Sequence, residues 1–164
     1  EGAYAQRRLE CEQVAEGLGV STLRDVVLDD IERLASASLR KRVRHVVTEN
    51  ARVREAVVAI QKKDWDGLGA LMTGSHTSLR DDYEVSCDEL DRLVELACAE
   101  RGVLGARMTG GGFGGCAVVL VERPGLESVA ASLQEVFLRE IGHKPVCFHV
   151  TASAGARALN ARPS

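Results

Sequence analysis

The chain has 164 residues, 45% of them hydrophobic and 27% charged, with a formal net charge of −3 at pH 7. That length predicts one compact domain able to bury roughly 70% of the unfolded chain's surface, and plentiful apolar residues with a near-neutral charge exclude a disordered chain. The slightly acidic balance excludes a general nucleic-acid binder, whose first sign is a basic footprint, and the longest apolar run, Cys116-Ala-Val-Val-Leu-Val121, is far short of the ~20 residues a membrane-spanning helix needs.

From Tyr4, apolar residues recur at Cys11, Val14, Ala15 and Leu18, predicting a helix that Gly19 stops. A shorter helical piece covers Leu28 to Leu34. Leu39, Val43, Val46, Val47, Val53, Val57, Val58 and Ile60 then share one face of a long helix. Its basic run Arg40-Lys41-Arg42-Arg44 reads as a solvated face, and His45 as an interface or hydrogen-bonding residue. Asp64 is placed to cap the next helix, which is expected to bury Trp65, Leu68, Leu71 and Met72. Further on, Ser86 and Glu89 spell a capping box, with Val85 and Leu90 as its hydrophobic staple. A helix is therefore expected from Cys87 to about Glu100, preceded by a connecting turn over Ser78 to Glu84. His76 with Asp81 and Asp82 reads as solvated or interdomain charge at that turn, in preference to an acid–base cluster.

After Gly102 the pattern becomes that of strands. Val103 to Met108 and Cys116 to Val121 flank a glycine-rich loop, and the second run, apolar on both faces, reads as a central covered strand. Leu126, Val129, Ala130, Leu133, Val136, Phe137 and Ile141 mark an amphipathic helix ended by Gly142. A last strand is expected over Val146 to Val150, where alternate residues are apolar. The sum is a helix-rich α+β domain with a small sheet. The five cysteines, Cys11, Cys87, Cys98, Cys116 and Cys147, are odd in number and widely spaced. They suit buried thiols in a reducing cytoplasm better than a disulfide framework or a zinc site, and no metal site is predicted.

Thr109-Gly110-Gly111-Gly112-Phe113-Gly114-Gly115 is the segment most loaded with meaning. Glycine permits positive φ and leaves backbone N–H groups open to an anion, so the loop is a candidate phosphate contact. The alternative is a turn that merely lets the sheet pack tightly, and spacing alone leaves both readings open. Gly110, Gly112 and Gly115 fit G-x-G-x-x-G, yet a strand follows where a dinucleotide fold requires a helix. A Walker loop lacks its Gly-Lys-Ser/Thr here, and no V-A-I-K, H-R-D or D-F-G accompanies the loop as in a protein kinase.

The run Gly105-Ala-Arg-Met-Thr-Gly-Gly-Gly-Phe-Gly-Gly-Cys-Ala117 resembles the third signature motif of galactokinases, within the GHMP small-molecule kinase superfamily. Ser75-His-Thr-Ser-Leu-Arg-Asp-Asp-Tyr-Glu-Val-Ser86, Lys41-Arg-Val-Arg-His-Val-Val-Thr-Glu-Asn50 and Tyr4 with Arg7-Arg8 follow in that family's order and spacing. The resemblance implies a ferredoxin-like GHMP kinase C-terminal domain over residues 1–164. It implies a parent enzyme that moves the γ-phosphate of ATP, with Mg²⁺, to the anomeric hydroxyl of galactose in the cytoplasm. The sugar motif, the serine-rich nucleotide loop and the catalytic Asp and Arg of such enzymes belong to an N-terminal half. No catalytic residue is therefore expected in this segment, which alone is expected to be inactive, and the opening Glu1 is expected to lie inside a longer protein. By resemblance Tyr4 would contact the sugar, and Thr109 to Gly115 would approach the phosphate-transfer region. The departures are Ala5, where the family usually has Asn or Pro, and Gly74, where it has Glu. A non-catalytic sugar sensor, or a kinase for N-acetylgalactosamine or arabinose, shares these features.

Overall fold

A computed structural model describes residues 2–155. Helix α1 (Ala3–Leu18) stops at Gly19, whose φ of 70° only glycine adopts freely. Two 3₁₀ turns, Leu23–Asp25 and Leu28–Arg33, return the chain to α2 (Ala37–Lys62), capped by the Ser36 hydroxyl. Helix α3 (Trp65–Asp81) begins where the Asp64 carboxylate accepts from the Gly67 N–H, as its spacing predicts. Helix α4 (Asp88–Ala99), strands β1 (Val103–Thr109) and β2 (Cys116–Val121) and helix α5 (Leu126–Ile141) complete the order. The result is the expected helix-rich α+β domain, its sheet a single antiparallel pair with Thr109 opposite Cys116 and a bulge between Val103 and Gly105.

Three apolar centres form among the described residues, the smallest made by Val85, Leu90 and Met108. Val14 and Ala15 of α1, Leu23, Val26 and Ile31 of the connecting turns and Val43 of α2 make the first. Val94 and Ala97 of α4, Ala106 of β1 and Val129 and Leu133 of α5 make the second. Helix α3 lies between these two. It reaches β1 because Gly69 and Gly105 have no side chains: a methyl on Gly69 would overlap the Leu104 carbonyl, and one on Gly105 the Gly69 backbone. Against α2, however, α3 makes a polar seam. The Ser75 hydroxyl donates to Glu49 (2.6 Å), and His45 bonds Ser78 (3.0 Å).

Several expectations fail, each for a packing reason. Helix α3 continues through Ser78 to Asp81 because these turn-forming residues find partners in the seam. Helix α4 starts one residue later than predicted, since the Ser86 hydroxyl donates to Asp91 (2.5 Å) instead of capping the helix. Trp65, at the first turn of α3, is 47% exposed rather than buried. Strand β2 lies at the edge of a two-stranded sheet, so Val118 and Cys116 are exposed; Cys98 and Cys147 are exposed too. Val146 to Val150 forms no strand: the run is open to solvent, and its contacts with α5 include Gln134 to the Pro145 carbonyl and His149 near Glu127. Alternation makes a strand only when a partner edge receives it.

Overpacking the α3–β1 contact is expected to be costly. Gly105→Ala should lower stability by about 2 kcal/mol, whereas Gly17→Ala, on α1 with open space around it, should be neutral or stabilising by about 0.5 kcal/mol. Chemical denaturation of the two variants checks the contrast.

Candidate functional site

The candidate site is organised by the segment Asp82 to Val85, which joins α3 to α4. Its backbone is gripped from three sides. Arg42 of α2 donates to the Asp82 carbonyl (2.5 Å), to Glu84 Oε2 (2.7 Å) and to Glu10 Oε2 of α1 (2.6 Å). Arg7 of α1 donates to the carbonyls of Tyr83 (2.7 Å) and Glu84 (3.3 Å). The third grip comes from the glycine loop, where the Phe113 N–H donates to the Val85 carbonyl (2.7 Å). Arg42 is only 2% exposed, the reverse of the solvated residue its basic neighbours suggest. The sequence did carry a signal: Arg42 falls three residues after Leu39 and one before Val43, on the apolar stripe.

Electrostatics follow from this clamp. The Lys41 ammonium and the Arg42 guanidinium hold the Glu84 carboxyl down at about 2. Glu10 is also lowered: burial is the largest single effect and opposes this, but hydrogen bonds from Arg42 and Gln6 together with the charges of Arg42 and Arg7 outweigh it. Glu84 takes a φ of 53°, an uncommon backbone for a non-glycine residue, and the three surrounding cations keep it there. Behind the segment the Tyr83 ring stacks on His45 with centroids 4.5 Å apart. Burial pushes the Tyr83 phenol up to about 12 and His45 down to about 4. Ser78 donates to Asp82, so the His45 Nδ1–H is the donor in the His45–Ser78 bond.

The two predicted elements lie on opposite sides of this segment. Tyr4, 60% exposed in the first turn of α1, lines an open groove of about 810 Å³ with Arg8, Cys11, Glu12 and Tyr83. The loop Thr109 to Gly115 rests on Val85 from the other direction. At Gly112 the close-packing reading is correct, since a methyl there would overlap the Val85 carbonyl. Gly110, Gly114 and Gly115 also take positive φ but face open space, and Phe113 turns left-handed at φ 60° with its ring 46% exposed. The loop therefore combines a packed base at Gly112 with an open, N–H-bearing rim. By its sequence His76 belongs among solvated or interdomain charges at the turn. It is instead 3% exposed beneath the loop, accepting from the Met108 N–H at Nδ1 (3.3 Å). Among the described residues, no group of three or more His, Cys, Asp and Glu could hold a metal ion.

Comparison with known proteins places this arrangement. The family model "GHMP kinases C terminal" matches residues 56–138, covering α3, α4, both strands, the glycine loop and most of α5. The chain belongs to the GHMP kinase C-terminal family. Among related proteins, a galactokinase of Streptomyces coelicolor is 46% identical over 97% of this chain and 42% of its own length. The human galactokinase is 45% identical over 95% of this chain and 40% of its own length. A solved structure of Lactococcus lactis galactokinase complexed with galactose superposes with a TM-score of 0.83 at 34% identity, covering 88% of this chain and 39% of that one. The chain thus spans about two fifths of the length of these relatives. Its glycine loop lies within the span that makes it a GHMP family member, while Tyr4 precedes that span.

Two measurements probe the site's physics. Between pH 6.5 and 4 the unfolded chain gains a proton at residue 45 that the folded chain refuses. The contribution of His45 is therefore full above about pH 6.5 and falls by at most about 3 kcal/mol as the pH drops to 4, and His76, also lowered, adds a decline of the same sign. Thermal unfolding against pH should show that decline, and His45→Gln should make it shallower. Gly112→Ala should destabilise by more than about 1 kcal/mol, whereas Gly111→Ala, in open space and without positive φ, should stay within about 0.5 kcal/mol of the parent.

Proposed function

We propose that this chain is the C-terminal domain of a galactokinase, an enzyme that transfers the γ-phosphate of ATP to the anomeric hydroxyl of galactose. The observation that carries the reading is the 42–49% identity to galactokinases over most of the chain. In this reading the 164 residues pair with an N-terminal half that supplies the catalytic residues and most of the nucleotide site. ATP provides the phosphoryl group, and Mg²⁺ offsets its charge. Among the described residues none is grouped to hold that ion, and its ligands are assigned to the N-terminal half.

What this chain contributes is enclosure and orientation. The open rim of the loop at Gly110, Gly114 and Gly115 offers N–H groups to phosphate oxygens, while Gly112 and Phe113 anchor it to Val85. Fixed donors of this kind act because phosphoryl transfer depends on positioning and on stabilising spread charge. Tyr4, at the lip of its groove, is the residue assigned to the sugar. The described helices are not long and apolar enough to cross a membrane, and the enzyme is assigned to the cytoplasm.

A coupled ADP-release assay tests the proposal with the full-length protein that carries this chain. Galactose should drive ADP release, more efficiently than N-acetylgalactosamine or arabinose, and the isolated 164 residues should show no turnover. Galactose binding without ADP release would mark a sensor and contradict the proposal, as would a preference for either other sugar.

A further inference from the structure

We propose that His76 is a positioning residue for the glycine loop Thr109 to Gly115, acting as a neutral ring with its proton on Nε2. The inference rests on the reading that this loop faces the transferred phosphate.

The geometry joins His76 to both supports of the loop. Its Nδ1 accepts from the N–H of Met108, a core residue 1% exposed and the penultimate residue of β1, next to Thr109 where the loop begins. Because that N–H must donate, Nδ1 must carry a lone pair, and the proton of a neutral ring lies on Nε2. On the far side, Nε2 is 3.3 Å from Asp91 Oδ1, the same oxygen that accepts from the Ser86 hydroxyl at 2.5 Å. Ser86 follows Val85, whose carbonyl receives the Phe113 N–H and whose backbone closes on Gly112. One buried ring therefore bridges the strand that enters the loop and the platform on which the loop rests.

The contact between Nε2 and Asp91 is one of charge and proximity. It lacks hydrogen-bond alignment, so Nε2 is a buried polar atom without a hydrogen-bond partner. An unaligned buried donor is costly in a site that serves packing alone. It is tolerated here because rotating the ring to satisfy Asp91 would break the bond to Met108. Protonation would remove the Nδ1 acceptor and set an N–H against the Met108 N–H. Burial holds His76 below its ordinary range; Asp91 on α4 opposes that, Arg80 on α3 and Arg107 on β1 reinforce it, and Asp81 opposes it. The neutral ring is the state near pH 7.

The test uses the full-length protein carrying this chain and reads the loop and the reaction separately. With histidine-selective ¹⁵N labelling near pH 7, the His76 ring should show an unprotonated Nδ1 and a protonated Nε2. An Nδ1–H tautomer overturns the proposal without any variant. His76→Ala should raise exchange of the Phe113 amide, the loop N–H bonded to Val85, roughly ten-fold while α2 amides keep their rates. His76→Asn, which restores an acceptor near the Nδ1 position, should recover most of that protection. In the kinase assay His76→Ala should lower kcat with the galactose KM unchanged, and His76→Asn should rescue kcat. Unchanged loop exchange in His76→Ala, or an equal rise in every element, overturns the positioning role. A parent protein that does not phosphorylate galactose defeats the functional reading alone, since the tautomer and exchange outcomes still decide the role of His76.

Discussion

The structure depends on one buried cation. Arg42 is almost wholly removed from water and spends its guanidinium on Glu10, the Asp82 carbonyl and Glu84. Taking such a charge out of water costs several kcal/mol, and only a complete set of hydrogen-bonding partners offsets that. The demand fixes the chain: Asp82 to Val85 must present one carbonyl and one carboxylate to the same fork, and Glu84 accepts a left-handed backbone to do so. A lysine would supply the charge without the planar geometry that binds three partners at once.

The consequences spread outward from that fixed segment. Once Glu84 is clamped, the Tyr83 and Glu84 carbonyls face α1 and are taken by Arg7, while the Val85 carbonyl faces the glycine loop. The groove beside Tyr4 and the rim of the loop are thus two surfaces built on one support. The two larger apolar centres lie on either side of α3, which meets α2 through polar side chains, and a smaller one includes Val85 itself. Burial supplies the bulk of the stability; the directional bonds of the seam determine where the candidate site residues stand. Positive φ at Gly110, Gly114 and Gly115 then leaves the rim of the loop in open space, while Gly112 seats on Val85.

Much of this was legible in the residues. The helix period located α1, α2 and α5, and Gly19 and Gly142 marked two of their ends. The two runs around the glycines form strands as expected and pair with each other, though the second is not the central covered strand its sequence suggests. What the pattern missed was decided by tertiary partners. Ser78 and Asp81 look like turn residues until His45 and Arg80 bond to them or to their neighbours in a helix. Arg42 looks solvated among four basic residues because composition, unlike periodicity, ignores which face a residue occupies. His76 looked like part of a charged turn for the same reason. Val146 to Val150 alternates like a strand, but no sheet edge receives it in the described residues. The galactokinase-like blocks were correctly grouped as one resemblance; their physical unity, a clamp of Arg42, Arg7 and Phe113 on a single short segment, emerged only in three dimensions.

The central claim is that Arg42, through Asp82 to Val85, couples the Tyr4 helix to the glycine loop. It is tested most directly by amide hydrogen exchange in Arg42→Lys, which retains the charge but loses the fork. The account predicts that the Phe113 amide and the amides of the first half of α1 lose protection together and by similar factors. If α1 loosens while the Phe113 amide keeps the exchange rate of the parent protein, the two surfaces do not share a support and the account is wrong.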